Sequence, residues 1–308
     1  MSSKKNISII GAGLMGHGIT LAFARAGYPV SVFDPDNATL ITLQARVKTS
    51  MISLGESELN ISNAVARISI CDSLEACVAH ADFVTEAAPE RLAIKQQIFA
   101  AVEAAAPAHC ILASNTSVIP ITQIMDDLNF KARTVGTHWW NPAHLIPLVE
   151  VIRTEHTSEE TMSDVMELLA DIDKTPVRVE KDVPGFIGNR LQHALWREAI
   201  SLVENGICDA EAVDTVVKSS FGRRLAVLGP LENADLVGTD LTLDIHNNVL
   251  HDIERSSAPS PYLSDLVEQG RLGMKSGQGF YQWQDGEADS LRQKVNSHLM
   301  ALKSMESD

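Results

Sequence analysis

The chain is short of cysteine, of basic residues and of long apolar runs, and each shortage excludes a class of protein. None of the four cysteines pairs at a metal-ligand spacing, which argues against a metal site or disulfide framework and favours reduced, mostly buried thiols. Lys and Arg number 25 against 40 Asp and Glu, and the net charge of −15 argues against nucleic acid or an anionic membrane as a partner. No apolar run is long enough to span a membrane, and the run after Lys4 and Lys5 is too short for a signal peptide. We therefore expect a cytoplasmic protein, without a metal, that acts on a small molecule.

The first half of the chain alternates short apolar runs with amphipathic stretches. Hydrophobic residues make up 45% and charged residues 21% of the 308 residues, which is typical of a globular protein with room for two domains. Because strands that alternate with helices usually form a parallel sheet, the pattern predicts an α/β, Rossmann-like fold with a mainly parallel sheet. Strands are expected at 6–10, 30–33, 83–86, 110–113, 134–137, 148–152 and 176–179, and helices at 17–26, 40–54, 94–105 and 162–172.

The pattern changes after Lys181, where the segment 182–185 resembles a linker. Helical periodicity dominates from there on, with helices expected at 190–205, 210–219, 234–252, 262–269 and 290–303. The sequence therefore predicts an N-terminal α/β domain, residues 1–181, followed by an all-α domain, residues 182–308.

A glycine motif lies between the first strand and the first helix. Gly11 permits a tight turn, Gly13 lets the backbone approach a pyrophosphate, and Gly16 lets helix and strand pack closely. Asp34 ends the second strand, where it can accept hydrogen bonds from ribose hydroxyls, and no basic residue follows it directly. This combination favours NAD over NADP. An FAD site and a glycine-rich turn without a ligand are the alternatives.

A histidine and a carboxylate lie in two neighbouring apolar runs. His138 begins His-Trp-Trp-Asn-Pro, and Glu150 lies twelve residues later within Pro-Leu-Val-Glu-Val-Ile. A neutral imidazole can take the proton of a hydroxyl group, and a buried carboxylate can orient the ring and stabilise the imidazolium. Together with a nicotinamide cofactor, such a pair is suited to oxidising an alcohol by hydride transfer.

The motifs of the chain, taken together, resemble the 3-hydroxyacyl-CoA dehydrogenase family over nearly the whole length. They are GAGLMGHGI, VTEAAPERLAIK, SNTS, HWWNP, PLVEVI, KDVPGFIGNR and RLGMKSGQGFY. The resemblance implies a Rossmann-like domain followed by a helical domain that binds substrate and forms a homodimer. It also implies that a 3-hydroxy group is oxidised to a 3-oxo group with NAD.

The resemblance further implies roles for single residues. His138 would be the general base, Glu150 its orienting partner, and Ser117 and Asn189 the hydrogen-bonding partners of the substrate oxygen. With the glycine motif and Asp34, the cofactor-binding set becomes Gly11, Gly13, Leu14, Met15, Gly16, Asp34, Ala87, Glu90, Lys95, Asn115, Asn141 and Lys275.

Several of these residues also have a simpler interpretation. Ser117 and Asn115 are residue types that form turns and helix caps, and Asn189 is placed to cap or brace the helix expected from residue 190. Lys95 would ordinarily be solvated, and Glu150 would be a surface residue if its strand were exposed.

The chain departs from the fatty-acyl-CoA members of the family in two places. Trp139 and Trp140 stand where those members usually have phenylalanines, and Pro147 stands where they usually have lysine. The helical excursion after Asp34, which is rich in lysine where it holds CoA, has only Arg46 and Lys48 between residues 37 and 60. These features resemble members that act without CoA, such as carnitine, gulonate and vitamin B6-degradation dehydrogenases.

The sequence therefore favours a free hydroxy acid or a similar small substrate over a CoA thioester. If a tryptophan lines the pocket, an aromatic or quaternary-ammonium substrate is an alternative; otherwise both rings pack between the sheet and the helical domain. A 3-hydroxyisobutyrate-type dehydrogenase is disfavoured because GFIGNR offers Asn189 and no lysine. A non-catalytic NAD-binding protein is the remaining alternative.

Overall fold

Eight strands form a single sheet in the computed structural model, which describes residues 4–305. They are β1 (Ile7–Ile10), β2 (Val30–Phe33), β3 (Ile68–Ile70), β4 (Phe83–Glu86), β5 (Ile111–Ser114), β6 (Thr134–Trp139), β7 (Leu148–Ile152) and β8 (Thr175–Val179). Their order is β3-β2-β1-β4-β5-β6-β7-β8, and every neighbouring pair is parallel except β6 with β7. The predicted mainly parallel sheet is confirmed.

Seven helices accompany the sheet. They are α1 (Leu14–Arg25), α2 (Asn37–Ser53), α3 (Glu58–Ala66), α4 (Leu74–Val78), α5 (Leu92–Ala105), α6 (Ile121–Ile124) and α7 (Glu159–Ala170), with a 3-10 turn at Lys131–Arg133. Short polar side chains begin several of them, since Asp36, Ser57, Ser73 and Ser158 each accept a hydrogen bond from a backbone N–H of the first turn.

Both faces of the sheet are buried, as the apolar strands predict. Alternate residues of a strand point to opposite faces, so Ile9 belongs to one apolar cluster and Ile10 to the other. The first cluster includes residues of α1, α2, α3 and α7, and the second includes residues of α4, α5 and α6. The ends of the strands are thereby held between two packed layers.

The remaining helices are α8 (Gly188–Glu204), α9 (Ala210–Ser219), α10 (Pro230–Val237), α11 (Thr239–Val249), α12 (Pro261–Glu268) and α13 (Glu287–Met305), with 3-10 turns at Phe221–Arg223 and Met274–Ser276. The chain divides into two compact units. The first ends at Arg190 and takes in the chain again from Asn296, and the second is Leu191–Val295. No helix in the described range is both long and apolar enough to cross a membrane.

Two expectations from the sequence need correction. The helix expected at 234–252 is two helices, α10 and α11, because Gly238 between them has a φ of 103°, which breaks the helical hydrogen-bond pattern. The elements α3, β3, α4 and α6 were not predicted. β3, α4 and α6 are too short to show a period, and α3 has only Ile61 and Ala64 buried to mark its apolar face.

Candidate active site

The glycine motif forms a loop from β1 into α1. Gly11 has a φ of 105°, and a Cβ on it would lie 2.7 Å from the carbonyl oxygen of Ala87, while a Cβ on Gly16 would collide with the carbonyl oxygen of Gly11. Around Gly13, by contrast, a Cβ would meet nothing within 4 Å. Gly13 is the N-cap of α1 and offers no side-chain cap to its first N–H groups. The loop thus has an open approach to free N–H groups, which is what a pyrophosphate needs.

Asp34 follows β2 and lies beside this loop. Its Oδ2 accepts from the backbone N–H of Ala12 at 2.7 Å, and its Oδ1 accepts from that of Asp36 at 2.8 Å. A carboxylate oxygen has more than one lone pair, so these bonds leave room for a ribose hydroxyl. The loop and Asp34 together fit the adenosine and pyrophosphate parts of NAD.

Lys95 is fully buried at the ends of β4 and β5, so its interpretation as a solvated residue is wrong. Its Nζ lies 2.7 Å from Oε1 of Glu86 and 3.3 Å from Oε2 of Glu90. Glu86 is equally buried, and its other oxygen accepts from the hydroxyl of Ser114 at 2.7 Å. Glu86 was not among the predicted site residues. The signal for it was a carboxylate inside an apolar strand, where it needs a partner.

Glu90 connects this ion pair to the loop that carries Ser117. Its Oε1 accepts from the backbone N–H groups of Ser117 and Val118, at 3.1 and 3.2 Å, and from the hydroxyl of Thr116. Burial raises the pKa of Glu90, but its hydrogen bonds and the charge of Lys95 together hold the pKa below its ordinary value. The ionised carboxylate therefore fixes the Ser117 backbone.

Asn115 and Asn189 brace the same region through their amide groups. Oδ1 of Asn115 accepts from the backbone N–H of Trp139 at 2.9 Å. Nδ2 of Asn189 donates to the carbonyl oxygen of Ser117 at 2.9 Å. Because α8 begins at Gly188, Asn189 lies in its first turn and is not the residue that precedes the helix.

His138 and Glu150 are directly opposite each other in the antiparallel pair of β6 and β7. Nδ1 of His138 lies 2.7 Å from Oε2 of Glu150, and the two residues are 3% and 1% exposed, so the interpretation of Glu150 as a surface residue is wrong. The other oxygen of Glu150 accepts from the N–H groups of Ile187, at 2.8 Å, and Gly188, at 3.0 Å. The carboxylate thus also accepts hydrogen bonds from the backbone N–H groups at the start of α8.

The protonation of this pair follows from its hydrogen bonds. Burial raises the pKa of Glu150, but the bonds from His138, Gly188 and Ile187 outweigh it, so the pKa lies below its ordinary value. An ionised carboxylate only accepts hydrogen bonds, and it therefore requires the proton on Nδ1 of His138. Nε2 is left as the basic nitrogen of the ring.

The two tryptophans lie in different surroundings. Trp139 is 2% exposed and belongs to the core on the α1 face, with its ring centroid 6.0 Å from that of Phe23. Trp140 packs against the catalytic candidates, with its centroid 5.3 Å from that of His138. A Cβ on Gly188 would collide with the Trp140 ring, so this glycine allows the close approach.

The first compact unit brings most of the predicted residues to the carboxyl-end edge of the sheet. Ala87 lies against Gly11 of the glycine loop, and its N–H donates to the carbonyl oxygen of Ile10, the last residue of β1, at 2.8 Å. Asn141 follows β6 on an exposed turn. Lys275 lies in the second unit, in the turn Met274–Ser276. Among the described residues, no group of three or more His, Cys, Asp or Glu is placed to hold a metal ion.

A dinucleotide-binding loop on a Rossmann-like sheet is typical of NAD-binding proteins. The chain belongs to the 3-hydroxyacyl-CoA dehydrogenase family, since residues 6–183 match the family's NAD binding domain and residues 185–283 its C-terminal domain. It is an NAD-dependent dehydrogenase that acts on a CH–OH group, and the alternative of a non-catalytic NAD-binding protein is set aside.

Two relatives and one solved structure illustrate what this chain is similar to. It is 34% identical to 5-formyl-3-hydroxy-2-methylpyridine 4-carboxylate 5-dehydrogenase of Mesorhizobium japonicum, over 97% of both chains. It is 40% identical to a probable 3-hydroxybutyryl-CoA dehydrogenase of Bacillus subtilis, over 91% of this chain and 98% of that one. The crystal structure of a 5-formyl-3-hydroxy-2-methylpyridine 4-carboxylic acid 5-dehydrogenase, an NAD+-dependent dismutase, matches with a TM-score of 0.90 and 32% identity over 98% of both chains.

Replacing Lys95 by Met should destabilise the fold strongly, because Glu86 would stay buried without its cation. The expected loss is about 3–5 kcal/mol in the free energy of unfolding. Lys131→Met is the matched control, since it breaks an exposed pair with Asp126 and should cost less than about 1 kcal/mol. Urea unfolding followed by circular dichroism measures both, and equal stability of the two variants would contradict the interpretation of the buried pair.

Proposed function

We propose that the protein oxidises a hydroxyl group of a small substrate that carries no CoA, with His138 as the general base. The observation that carries the proposal is the buried contact of Nδ1 of His138 with the ionised Glu150, 2.7 Å apart. It leaves Nε2 to take the hydroxyl proton, while the carboxylate orients the ring and stabilises the imidazolium. NAD, when bound, would supply the hydride acceptor.

Ser117 and Asn189 are the proposed hydrogen-bonding partners of the substrate oxygen. Glu90 holds the backbone of Ser117, and the side chain of Asn189 donates to the Ser117 carbonyl, so the two residues are fixed relative to each other. The Asn189 amide has a second N–H that this bond does not use. Donors placed in this way lower the energy of the charge that develops on the oxygen as its proton leaves.

For the cofactor, the proposed binding residues lie mainly on the first unit. The loop N–H groups would hold the pyrophosphate and Asp34 the adenosine ribose. The residues proposed for the loop and for the nicotinamide end are Gly11, Gly13, Leu14, Met15, Gly16, Ala87, Glu90, Lys95, Asn115, Asn141 and Lys275.

The preference for a substrate without CoA is supported by the hairpin of α2 and α3. Its polar groups bond to the protein itself: Arg46 donates to the glycine loop, Ser50 contacts Nε2 of His17 at 3.0 Å, and Glu56 accepts from Arg25 at 2.6 Å. Lys48 is the exposed cation of α2. A CoA molecule carries several phosphate charges, and one exposed lysine offers little to bind them.

A formyl- or hydroxy-bearing aromatic acid is a second candidate for the substrate. It is supported by the similarity, over 97% of both chains, to the dehydrogenase named for 5-formyl-3-hydroxy-2-methylpyridine 4-carboxylate. Trp140, which lies against His138, is the ring placed to stack on such a substrate, whereas Trp139 is enclosed in the core.

Replacing His138 by Ala should lower the rate of alcohol oxidation by about 10²- to 10⁴-fold, because the base is lost. NADH binding, measured by fluorescence, should remain. His156→Ala is the matched control, since His156 is exposed. An oxidation rate of His138→Ala within about twofold of the wild type would count against the base assignment.

A substrate panel separates the candidates for the substrate class. It consists of 3-hydroxybutyryl-CoA, free 3-hydroxybutyrate, L-carnitine and 5-formyl-3-hydroxy-2-methylpyridine 4-carboxylate, with NADH formation as the measurement. We expect at least one free compound to exceed the CoA thioester in kcat/KM by about tenfold or more, equivalent to about 1.4 kcal/mol. Equal or better turnover of the thioester would overturn the proposal of a substrate without CoA.

We also propose that the helical unit pairs with a second copy of the chain. Within residues 191–295, Leu266 is the one buried apolar side chain, and no residue of α9, α10 or α11 is buried. Val227, Leu231 and Leu236 are 89%, 80% and 73% exposed. Apolar surface of this kind marks a protein interface more often than it remains in water.

Sedimentation equilibrium tests the dimer. The wild type should have twice the chain mass of 33.4 kDa. Leu231→Glu with Leu236→Glu should shift it toward the monomer, because charges at an apolar interface are costly to bury. The control pair is Ile41→Glu with Leu59→Glu, at exposed positions of the first unit. A monomeric wild type would contradict the proposal.

A further inference from the structure

Arg46 reaches from α2 to the glycine loop, 33 residues away in the chain. Its Nη2 donates to the carbonyl oxygen of Ala12 at 2.7 Å, and its Nη1 to that of Gly13 at 3.4 Å. Bonds to the carbonyl of Thr39, at 3.0 Å, and the hydroxyl of Thr42, at 3.2 Å, hold the guanidinium on its own helix. The fork of an arginine is thus fixed in one orientation toward the loop.

Asp34 holds the same loop residue, Ala12, through the backbone N–H of that residue. The N–H of Ala12 donates to Asp34 and the carbonyl of Ala12 accepts from Arg46, so Ala12 is held between a carboxylate and a guanidinium. Burial lowers the pKa of Arg46 below its ordinary value, and the charge of Asp34 opposes that shift. Neither residue is fully buried.

This arrangement has an electrostatic consequence for a bound phosphate. Carbonyl oxygens of a loop carry partial negative charge and repel a pyrophosphate, whereas the N–H groups at the start of a helix attract it. Arg46 donates to two such carbonyl oxygens, those of Ala12 and Gly13. The loop is thereby fixed with its attractive groups free.

We propose that Arg46 is the positioning residue of the dinucleotide-binding loop. It holds the carbonyl oxygens of Ala12 and Gly13, so that the N–H groups at the start of α1 are the ones that a pyrophosphate meets.

The positioning role is tested by NADH binding. Arg46→Met should raise the NADH Kd by about tenfold, the effect of losing one charge-assisted hydrogen bond. Lys48→Met, an exposed cation on the same helix, should change it by less than about twofold. Circular dichroism verifies folding, and kcat at saturating NAD should fall less than the Kd rises. Arg46→Lys, which keeps the charge but not the fork, should lose affinity too and serves if the Met variant does not fold.

An NADH Kd for the Arg46 variants within about twofold of the wild type would overturn the positioning role.

Discussion

The carboxylate of Glu150 is the constraint on which the candidate catalytic centre depends. One oxygen accepts from the ring of His138, and the other accepts from the first N–H groups of α8. Because the residue is 1% exposed, water cannot replace either set of bonds. A single side chain therefore sets the ring orientation, satisfies a helix terminus and ties β6, β7 and the start of α8 together.

A second buried carboxylate performs the equivalent task on the cofactor side. Glu86 binds Lys95, which also contacts Glu90, and Glu90 in turn fixes the backbone beside Ser117. Breaking such a chain leaves a buried charge without a partner, so its members depend on one another. The two carboxylate systems make the end of the sheet a rigid frame, and hydride transfer requires such a frame because small displacements of the reacting groups are costly.

Much of this frame could be predicted from the sequence, because its signals are local. The glycine motif directly follows an apolar strand, Asp34 ends the next strand, and Glu150 lies in the apolar run that follows the one ending at His138. The strand β3 and the helices α4 and α6 could not be predicted, since they are too short to show a period, and α3 has only two buried residues to mark its apolar face. Glu86 was missed because one carboxylate in an apolar run does not identify its partner.

The sequence by itself determined the fold class and the cofactor, since strand period and glycine spacing are properties of neighbouring residues, and the family resemblance supplied most of the candidate site residues. Only the tertiary structure decided which charges meet. It buried Lys95 between Glu86 and Glu90 and brought Arg46 onto the glycine loop. The physical reason is that a buried charge must find an opposite charge or dipole in space, and the fold sets that distance independently of separation along the chain.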